Sequence, residues 1–208
     1  SEVQQQLFKH AVNEVMKKFD GHEQQKKEVL VTLLYAFTQL ENLELVDYLI
    51  ENQHNNLPEE LKEPNLIDEL YHRLRLAIGR VAPNFDLSYK GRTVALHTLE
   101  DAAYYVIVFW SSTCPHCMEE MPKLYEHFKS NEQVEVIAIA LESEDNSHDT
   151  ITEQWKGWSH ILGLGKWNNA LARLYEVNST PTYFLLDADK KIVAKPEFFE
   201  DLQWLFEN

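Results

Sequence analysis

Cysteine is scarce in this sequence, and long apolar stretches and positive charges are also few. Two cysteines in 208 residues cannot build a framework of disulfide bonds, so any pairing between them serves local chemistry. No run approaches the roughly 20 apolar residues that a membrane-spanning helix needs. The polar start, Ser-Glu-Val-Gln-Gln-Gln, is too polar to be a signal peptide. We find no internal repeat and no low-complexity tract, so the pattern is that of an ordinary globular protein.

Acidic residues outnumber basic ones: 34 Asp and Glu residues stand against 19 Lys and Arg residues, for a net charge of −15. Nucleic acids and anionic membranes attract basic surfaces, so this balance argues against both as partners. With 44% hydrophobic and 25% charged residues, the composition is typical of a folded protein. The length suits one large domain or two modest ones.

Both cysteines lie in residues 104–124, the segment around which the rest of the chain is organised. It opens with seven apolar or aromatic residues, Tyr104 to Trp110, which predict a strand buried on both faces. Small polar residues then lead to Cys114-Pro115-His116-Cys117, and this proline suits the first turn of a helix. Apolar side chains follow with helical spacing at Cys117, Met121, Leu124 and Phe128. The two sulfurs therefore lie where a buried strand becomes a helix.

That position favours redox chemistry of the two thiols. The unpaired N–H groups and the dipole at a helix start favour a negative charge, and the thiolate is the reactive form of cysteine. Two cysteines three residues apart at such a start can also close a small disulfide ring. The sequence predicts Cys114 as the nucleophile and Cys117 as the resolving thiol, with His116 adding positive charge or a hydrogen bond.

The spacing of apolar residues changes near residue 80, from helical spacing alone to alternating strand and helix patterns. This change predicts an all-α region over 1–80 followed by an α/β domain over 81–208. The first region shows helical spacing only, and its last helix is predicted over Leu66–Ile78. We find no chemistry in this part of the sequence.

The second region is predicted to form a mixed sheet. The buried strand, the cysteine helix and the apolar run Val134–Leu141 form a βαβ unit, which is expected to be parallel and right-handed. A loop is predicted next, around Trp158, Gly163, Gly165 and Trp167. The runs Tyr183–Leu186 and Ile192–Ala194 are separated by a turn and predict a closing hairpin.

Several motifs of the second region together resemble one family. They are Ala82-Pro-Asn-Phe85, Phe109-Trp110 at the strand end, Cys114-x-x-Cys117-x-x-Glu120-x-Pro122, and Thr180-Pro181-Thr182 before a strand. This combination is similar to the TlpA/ResA type of thioredoxin-like domain, the disulfide reductases of bacterial cell envelopes. The resemblance implies a thioredoxin-like fold, a mixed central sheet flanked by helices, placed here after the N-terminal helical region.

The resemblance also implies roles for individual residues. Glu120 is implied to be a partly buried carboxylate that moves protons during disulfide exchange, because burial raises the pKa of such a group toward the useful range. Pro181 is implied to be cis and to present the backbone of Thr180 to an incoming peptide. Trp110, Thr113 and Pro115 are implied to complete the substrate-binding surface.

Two features depart from the family pattern. Thr113 replaces the tryptophan that the family usually has directly before the first cysteine. The Pro115-His116 dipeptide resembles that of DsbA-type oxidants, which points to a more oxidising potential. The resemblance favours a reductase slightly over an oxidase. It further implies protein disulfides as substrates, an unidentified redox partner, an envelope or periplasmic location and no cofactor besides the redox-active disulfide.

Three other functions stay open at this point. The first is a thioredoxin-like binding module whose Cys-x-x-Cys is not catalytic. The second is a peroxidase, because Ala-Pro-x-Phe also opens peroxiredoxins, although no proline lies seven residues before Cys114. The third is a metal site, which lacks the second cysteine pair that zinc usually needs, so we expect no metal.

Overall fold

The computed structural model describes residues 2–144 and 152–207. The chain divides into two compact units, of which the first ends at Ala77 and the second begins at Ile78. Within the described residues, no helix is long and apolar enough to span a membrane.

The first unit contains helices and 3₁₀ turns. Its helices are α1 (Glu2–Lys17), α2 (Glu23–Gln39), α3 (Leu43–Asn52) and α4 (Leu66–Arg73). Their inner faces supply a core of mostly aliphatic side chains, among them Met16, Leu30, Leu34, Leu49, Leu70 and Leu74. This pattern agrees with the helical spacing in the sequence, because apolar residues three and four apart lie on one face of a helix.

The last helix of this unit is shorter than predicted. It ends at Arg73, whereas the apolar spacing predicted a helix as far as Ile78. Leu74, Leu76 and Ala77 are still buried, but they lie in turns. Burial alone produced the apolar pattern here, and the prediction mistook it for helical periodicity.

The second unit is built on a five-stranded mixed sheet with a separate hairpin. The hairpin pairs β1 (Asp86–Tyr89) with β2 (Arg92–Ala95). The strands of the large sheet, in spatial order, are β5 (Ser159–Leu164), β4 (Val134–Glu142), β3 (Tyr104–Trp110), β6 (Thr182–Asp187) and β7 (Ile192–Ala194). Among the residues described in this unit, the helices are α5 (Pro115–Phe128), α6 (Ala170–Leu174) and α7 (Phe199–Glu207).

Strand β3 lies at the centre of the sheet, parallel to β4 and antiparallel to β6. Residues 105–110 have no exposed surface, which confirms the prediction of a strand buried on both faces. Helix α5 follows it directly, and the predicted apolar face of α5 packs in the same core as β3. The parallel β3–α5–β4 unit is therefore the one that the sequence predicted.

The predicted loop around Trp158–Trp167 is wrong over its first half, where the chain forms β5. This edge strand pairs in parallel with β4, and Ser159 lies opposite Ile137. The residues of β5 are mixed in polarity and several are only half-buried, so they show no clear alternation. Gly163 lies so close to β4 that an added Cβ would come within 3.2 Å of the Ala140 carbonyl oxygen. Pairing with β4, rather than a local pattern, defines this strand.

Candidate active site

Cys114 lies between the end of β3 and the first turn of α5. It is the N-cap residue of α5, and its Sγ accepts a hydrogen bond of 3.3 Å from the backbone N–H of Cys117. Its own N–H donates to the carbonyl of Ser111 at 3.1 Å, which closes a tight turn before the helix. Pro115 occupies the first helical position, where no backbone donor is needed. The sulfur therefore occupies the place of a capping oxygen, at the positive end of the helix.

The loop before β6 forms the opposite wall of this site. The Thr180–Pro181 peptide bond is cis. The carbonyl oxygen of Thr180 accepts a hydrogen bond from Sγ of Cys114, at a distance of 3.2 Å. Both residues are half-buried, so part of their surface faces solvent beside the sulfur. Because β6 pairs with β3, this loop and the cysteine loop meet at one end of the sheet.

Two opposing influences set the pKa of the Cys114 thiol. Partial burial is the largest single influence and raises it, because it disfavours a charged sulfur. Hydrogen bonds from the Cys117 thiol, from the side chain of Thr180 and from the amides of Cys117 and His116 act the other way. Together they outweigh the burial and hold the pKa of Cys114 below its usual value, so the thiolate is more abundant at neutral pH.

Cys117 is the opposite case. It has no exposed surface, and both cysteines are free thiols in this structure. Burial is the main reason why the pKa of Cys117 rises to about 12, and the hydrogen bond to Cys114 adds to the increase. In the hydrogen bond between the two sulfurs, the proton therefore stays on Cys117, and Cys114 is the thiol that ionises.

Glu120 lies one turn further along α5 and is buried, with 9% of its surface exposed. Its Oε2 accepts two hydrogen bonds, from the Tyr183 hydroxyl at 2.7 Å and from the Phe199 amide at 3.1 Å. That amide belongs to the first residue of α7, so the carboxylate also meets the positive end of a second helix. Among the described residues no donor reaches Oε1, which leaves one carboxylate oxygen available for a proton.

Tyr183, the second residue of β6, was not singled out from the sequence. Burial is the main cause that raises the pKa of its hydroxyl, followed by the hydrogen bond to Glu120 and by the charges of Glu120 and Cys117. The phenol therefore donates to Glu120 within the electrostatic influence of Cys117. The only sequence signal for this role is a tyrosine in an otherwise apolar strand, two residues after Pro181.

A second buried carboxylate, Glu142, holds the other side of the cysteine loop. It lies at the end of β4 with 4% of its surface exposed. It accepts the backbone N–H of Ser112 at 2.6 Å and the hydroxyl of Ser111 at 3.3 Å. The backbone of Ser111 also lowers the pKa of Cys117 by hydrogen bonding. Glu142 therefore fixes a loop that contacts the backbone amide of Cys114 and the thiol of Cys117. The local sequence pattern gives no sign of this role.

The remaining predicted residues fall into two groups. The side chains of Thr113, Pro115 and His116 are exposed beside Cys114, and His116 contributes to the pKa of Cys114 through its backbone amide. Trp110, in contrast, is fully buried and packs edge-on against Trp155, with ring centroids 5.0 Å apart. The prediction that Trp110 belongs to the substrate-binding surface is therefore wrong, since the end of a central strand leaves its ring no exposed face.

Metal ligands are not assembled in this part of the molecule. Within residues 2–144 and 152–207, no three His, Cys, Asp or Glu side chains gather in a group that could hold a metal ion. The chemistry available at the site is that of two unlike thiols, a cis-proline wall and a buried carboxylate.

Comparison with known proteins identifies the family. The model of the AhpC/TSA family matches residues 78–195. The curated proteins named thiol-disulfide oxidoreductase ResA from Bacillus thuringiensis and Bacillus anthracis are each 30% identical over 125 residues, which span 58% of this chain and 70% of the relative.

Solved structures give the same result for the fold. The thioredoxin domain of a thiol-disulfide oxidoreductase from Bacteroides vulgatus superposes with a TM-score of 0.53 at 26% identity, covering 64% of this chain and 96% of that one. A domain of a possible thiol-disulfide isomerase from Cytophaga hutchinsonii superposes with a TM-score of 0.52 at 29% identity, covering 62% and 90%. These matches confirm the predicted thioredoxin-like fold and the resemblance on which it rested. The chain belongs to the AhpC/TSA family and is a thioredoxin-fold protein of the TlpA/ResA type.

Proposed function

We propose that this protein is a thiol–disulfide oxidoreductase that reduces disulfide bonds of other proteins through Cys114 and Cys117. The relatives described above support the enzyme class directly, since they are named for this activity. The roles of the two cysteines are assigned from their opposite exposures and their opposite pKa shifts. Cys114 is partly exposed with a lowered pKa, and Cys117 is buried with a pKa of about 12.

The reaction follows from these two environments. The Cys114 thiolate attacks one sulfur of the substrate disulfide, the substrate S–S bond breaks, and the departing thiolate takes up a proton. The mixed disulfide then leaves Cys117 next to the Cys114 sulfur. When Cys117 loses its proton it attacks Cys114, which releases the second substrate thiolate and leaves a Cys114–Cys117 disulfide. Two electrons have moved from the protein to the substrate.

Glu120 is proposed to accept the proton that Cys117 must lose. A thiol with a pKa of about 12 is almost entirely protonated at neutral pH, so resolution needs a base nearby. Tyr183 and the first amide of α7 hold Oε2, and they leave Oε1 for proton transfer. Thr180, Pro181, Thr113 and Pro115 are proposed to form the surface on which the substrate chain lies.

The direction of electron flow and the location of the protein are also proposals. The TlpA/ResA type favours reduction of substrates, and the Pro115-His116 dipeptide points toward a more oxidising pair. We favour the reductase, in a bacterial cell envelope, with a separate protein that supplies electrons. No observation here favours a peroxidase or a metal-binding protein over this function.

Replacing either cysteine tests the function. C114S is expected to abolish dithiol-dependent reduction of insulin, because no nucleophile remains. C117S is expected to lose turnover as well, but to accumulate mixed disulfides that a non-reducing gel resolves. Full activity of C114S would contradict the assignment, and a C117S protein that traps no partner would favour a binding module with idle cysteines.

A further inference from the structure

The turn that follows β5 places a lysine directly beside the nucleophile. Lys166 Nζ donates a hydrogen bond of 3.1 Å to the hydroxyl of Thr113, the residue that precedes Cys114. Thr113 is itself exposed, and its hydroxyl lies 3.0 Å from that of Ser111. A side-chain cation therefore stands at the edge of the site where the substrate cysteine must approach.

This turn is held in place by contacts with β4 and within itself. The backbone N–H of Gly165 donates to the carbonyl of Glu142 at 2.9 Å, and the amide side chain of Asn169 donates to the carbonyl of Leu164 at 3.1 Å. Gly165 and Lys166 both have positive φ angles, of 90° and 48°. For a lysine this left-handed backbone is uncommon, so the turn sets the direction in which the side chain leaves the backbone toward Thr113.

The charge of Lys166 is not neutralised by a carboxylate of the described residues. Its hydrogen-bond partner is a neutral hydroxyl, whereas lysines elsewhere in the protein, such as Lys123 and Lys129, contact glutamates at 3.2 and 2.5 Å. The hydrogen bonds at the sulfur already account for the lowered pKa of Cys114. In a protein with a net charge of −15, this cation is available to a ligand.

Apolar surface flanks the lysine on both sides. Leu164 keeps 48% of its surface exposed and Trp167 keeps 44%. We call Leu164, Lys166 and Trp167 the β5 rim. An exposed aromatic ring beside a cation suits a peptide segment that carries an acidic side chain next to an apolar one.

We propose that Lys166 is a specificity-determining residue that favours substrates with an acidic side chain next to their reactive cysteine. In the mixed disulfide with Cys114, that side chain would lie over Thr113 and within reach of the ammonium group. Leu164 and Trp167 would contact the apolar residues that flank it. The proposal rests on the proposed function, because it names the class of substrate that the same site prefers.

Two small disulfide peptides test the proposal. Each is closed by one internal disulfide, and they differ only in having Asp or Lys beside the first cysteine. The pre-reduced full chain is mixed with each peptide, and reduction of the peptide is followed in a single turnover, so the protein dithiol is the only source of electrons. We expect wild type to reduce the Asp peptide about threefold faster than the Lys peptide at low ionic strength. High salt should shrink this ratio, because the pair is exposed.

Charge variants at the two ends of β5 supply the decisive comparison. K166E is expected to invert the ratio and K166Q to bring it close to one. Lys156 is exposed just before the start of β5, so K156E makes the same change in net charge away from the nucleophile and should leave the ratio at its wild-type value. An unchanged ratio in K166E, or an equal shift in K156E, would overturn the proposal while leaving the oxidoreductase intact. If wild type reduced neither peptide, the proposed function itself would fail.

Discussion

The two sides of the redox pair are lined by different kinds of chemical group. The outer side, around Cys114, consists of backbone groups and hydroxyls: the Cys117 amide, the Thr180 carbonyl and the loop 111–113 held by Glu142. The inner side, around Cys117, consists of buried proton-bearing side chains of α5 and β6 together with the first backbone amide of α7. On the outer side the Cys117 amide stabilises a charged sulfur, because it donates a hydrogen bond to Sγ of Cys114. The inner side keeps a sulfur neutral until its proton can be removed.

Because of this difference, the reactivity of the nucleophile and the deprotonation of the resolving thiol can be changed separately by mutation. Changes on the inner side should affect the second half of the reaction and leave the reactivity of Cys114 unchanged. Changes to the loop should act first on Cys114, whose amide donates to the carbonyl of Ser111, and less on Cys117. The following substitutions test that separation.

The largest effect is expected for Glu120→Gln. The amide cannot take the proton of Cys117, so resolution of the mixed disulfide at neutral pH should slow by about 100-fold, a usual loss when a general base is removed. The rate of Cys114 alkylation should stay the same. Stopped-flow release of the second substrate thiol measures the first quantity, and iodoacetamide modification measures the second.

Glu119→Gln is the matched control for that variant, since Glu119 is the exposed neighbour on the same helix. It should resolve mixed disulfides at the wild-type rate. If E120Q and E119Q behaved alike, Glu120 would have no proton-transfer role and the inner side would be a packing feature.

The second-largest effect is expected for Glu142→Ala, which releases the loop 111–113. The Ser112 amide would lose its buried acceptor at a cost of about 1–3 kcal/mol in the free energy of unfolding. With the loop released, alkylation of Cys114 at neutral pH should fall by roughly fivefold, which corresponds to about 0.7 pKa unit. Denaturant unfolding and pH-dependent alkylation measure the two effects.

Two further variants separate geometry from simple destabilisation. Glu142→Gln keeps an acceptor for Ser112 and should restore most of the Cys114 reactivity. Glu135→Ala removes a half-buried carboxylate from the opposite end of the same strand, where it accepts hydrogen bonds from Tyr89 and Ser159. It should leave Cys114 unaffected, and an equal loss of reactivity in E135A would refute the positioning role of Glu142.

The smallest expected effect belongs to Tyr183→Phe. Without this donor only the Phe199 amide holds the Glu120 carboxylate, so resolution of the mixed disulfide should slow by about two- to threefold. Tyr175→Phe is the control: Tyr175 is equally buried, but its hydroxyl donates to the carbonyl of Pro83 at 2.6 Å. A slowing of resolution in Y175F as large as that in Y183F would show a general effect of losing a buried hydroxyl.

The outer side of the site was largely predictable from the sequence, because it depends on neighbours along the chain. A buried run, small polar residues, a proline and a helical repeat place Cys114 at a helix start wherever the domain folds. The position of Pro181 followed from a family resemblance, since nothing in its local sequence specifies which loop will face the cysteines.

The inner side was only partly predictable, because its contacts join distant elements. Glu120 was identified through the resemblance, but its partners on β6 and α7 lie 63 and 79 residues away in sequence. Glu142 was placed one residue beyond the predicted strand Val134–Leu141, in a polar stretch. Strand β5 escaped prediction for the same reason, since its pairing with β4 comes from the sheet rather than from its own residues. Trp110 shows the converse error, in which a conspicuous aromatic was assigned to the surface although the sheet buries it.

The most direct test of this account is the pH dependence of alkylation of each thiol, resolved by mass spectrometry of the reduced protein. Cys114 should react with a midpoint below the usual cysteine pKa, and Cys117 should stay unmodified until the pH approaches about 12. Equal reaction of both thiols with an ordinary cysteine midpoint would contradict the division into nucleophile and buried resolving thiol.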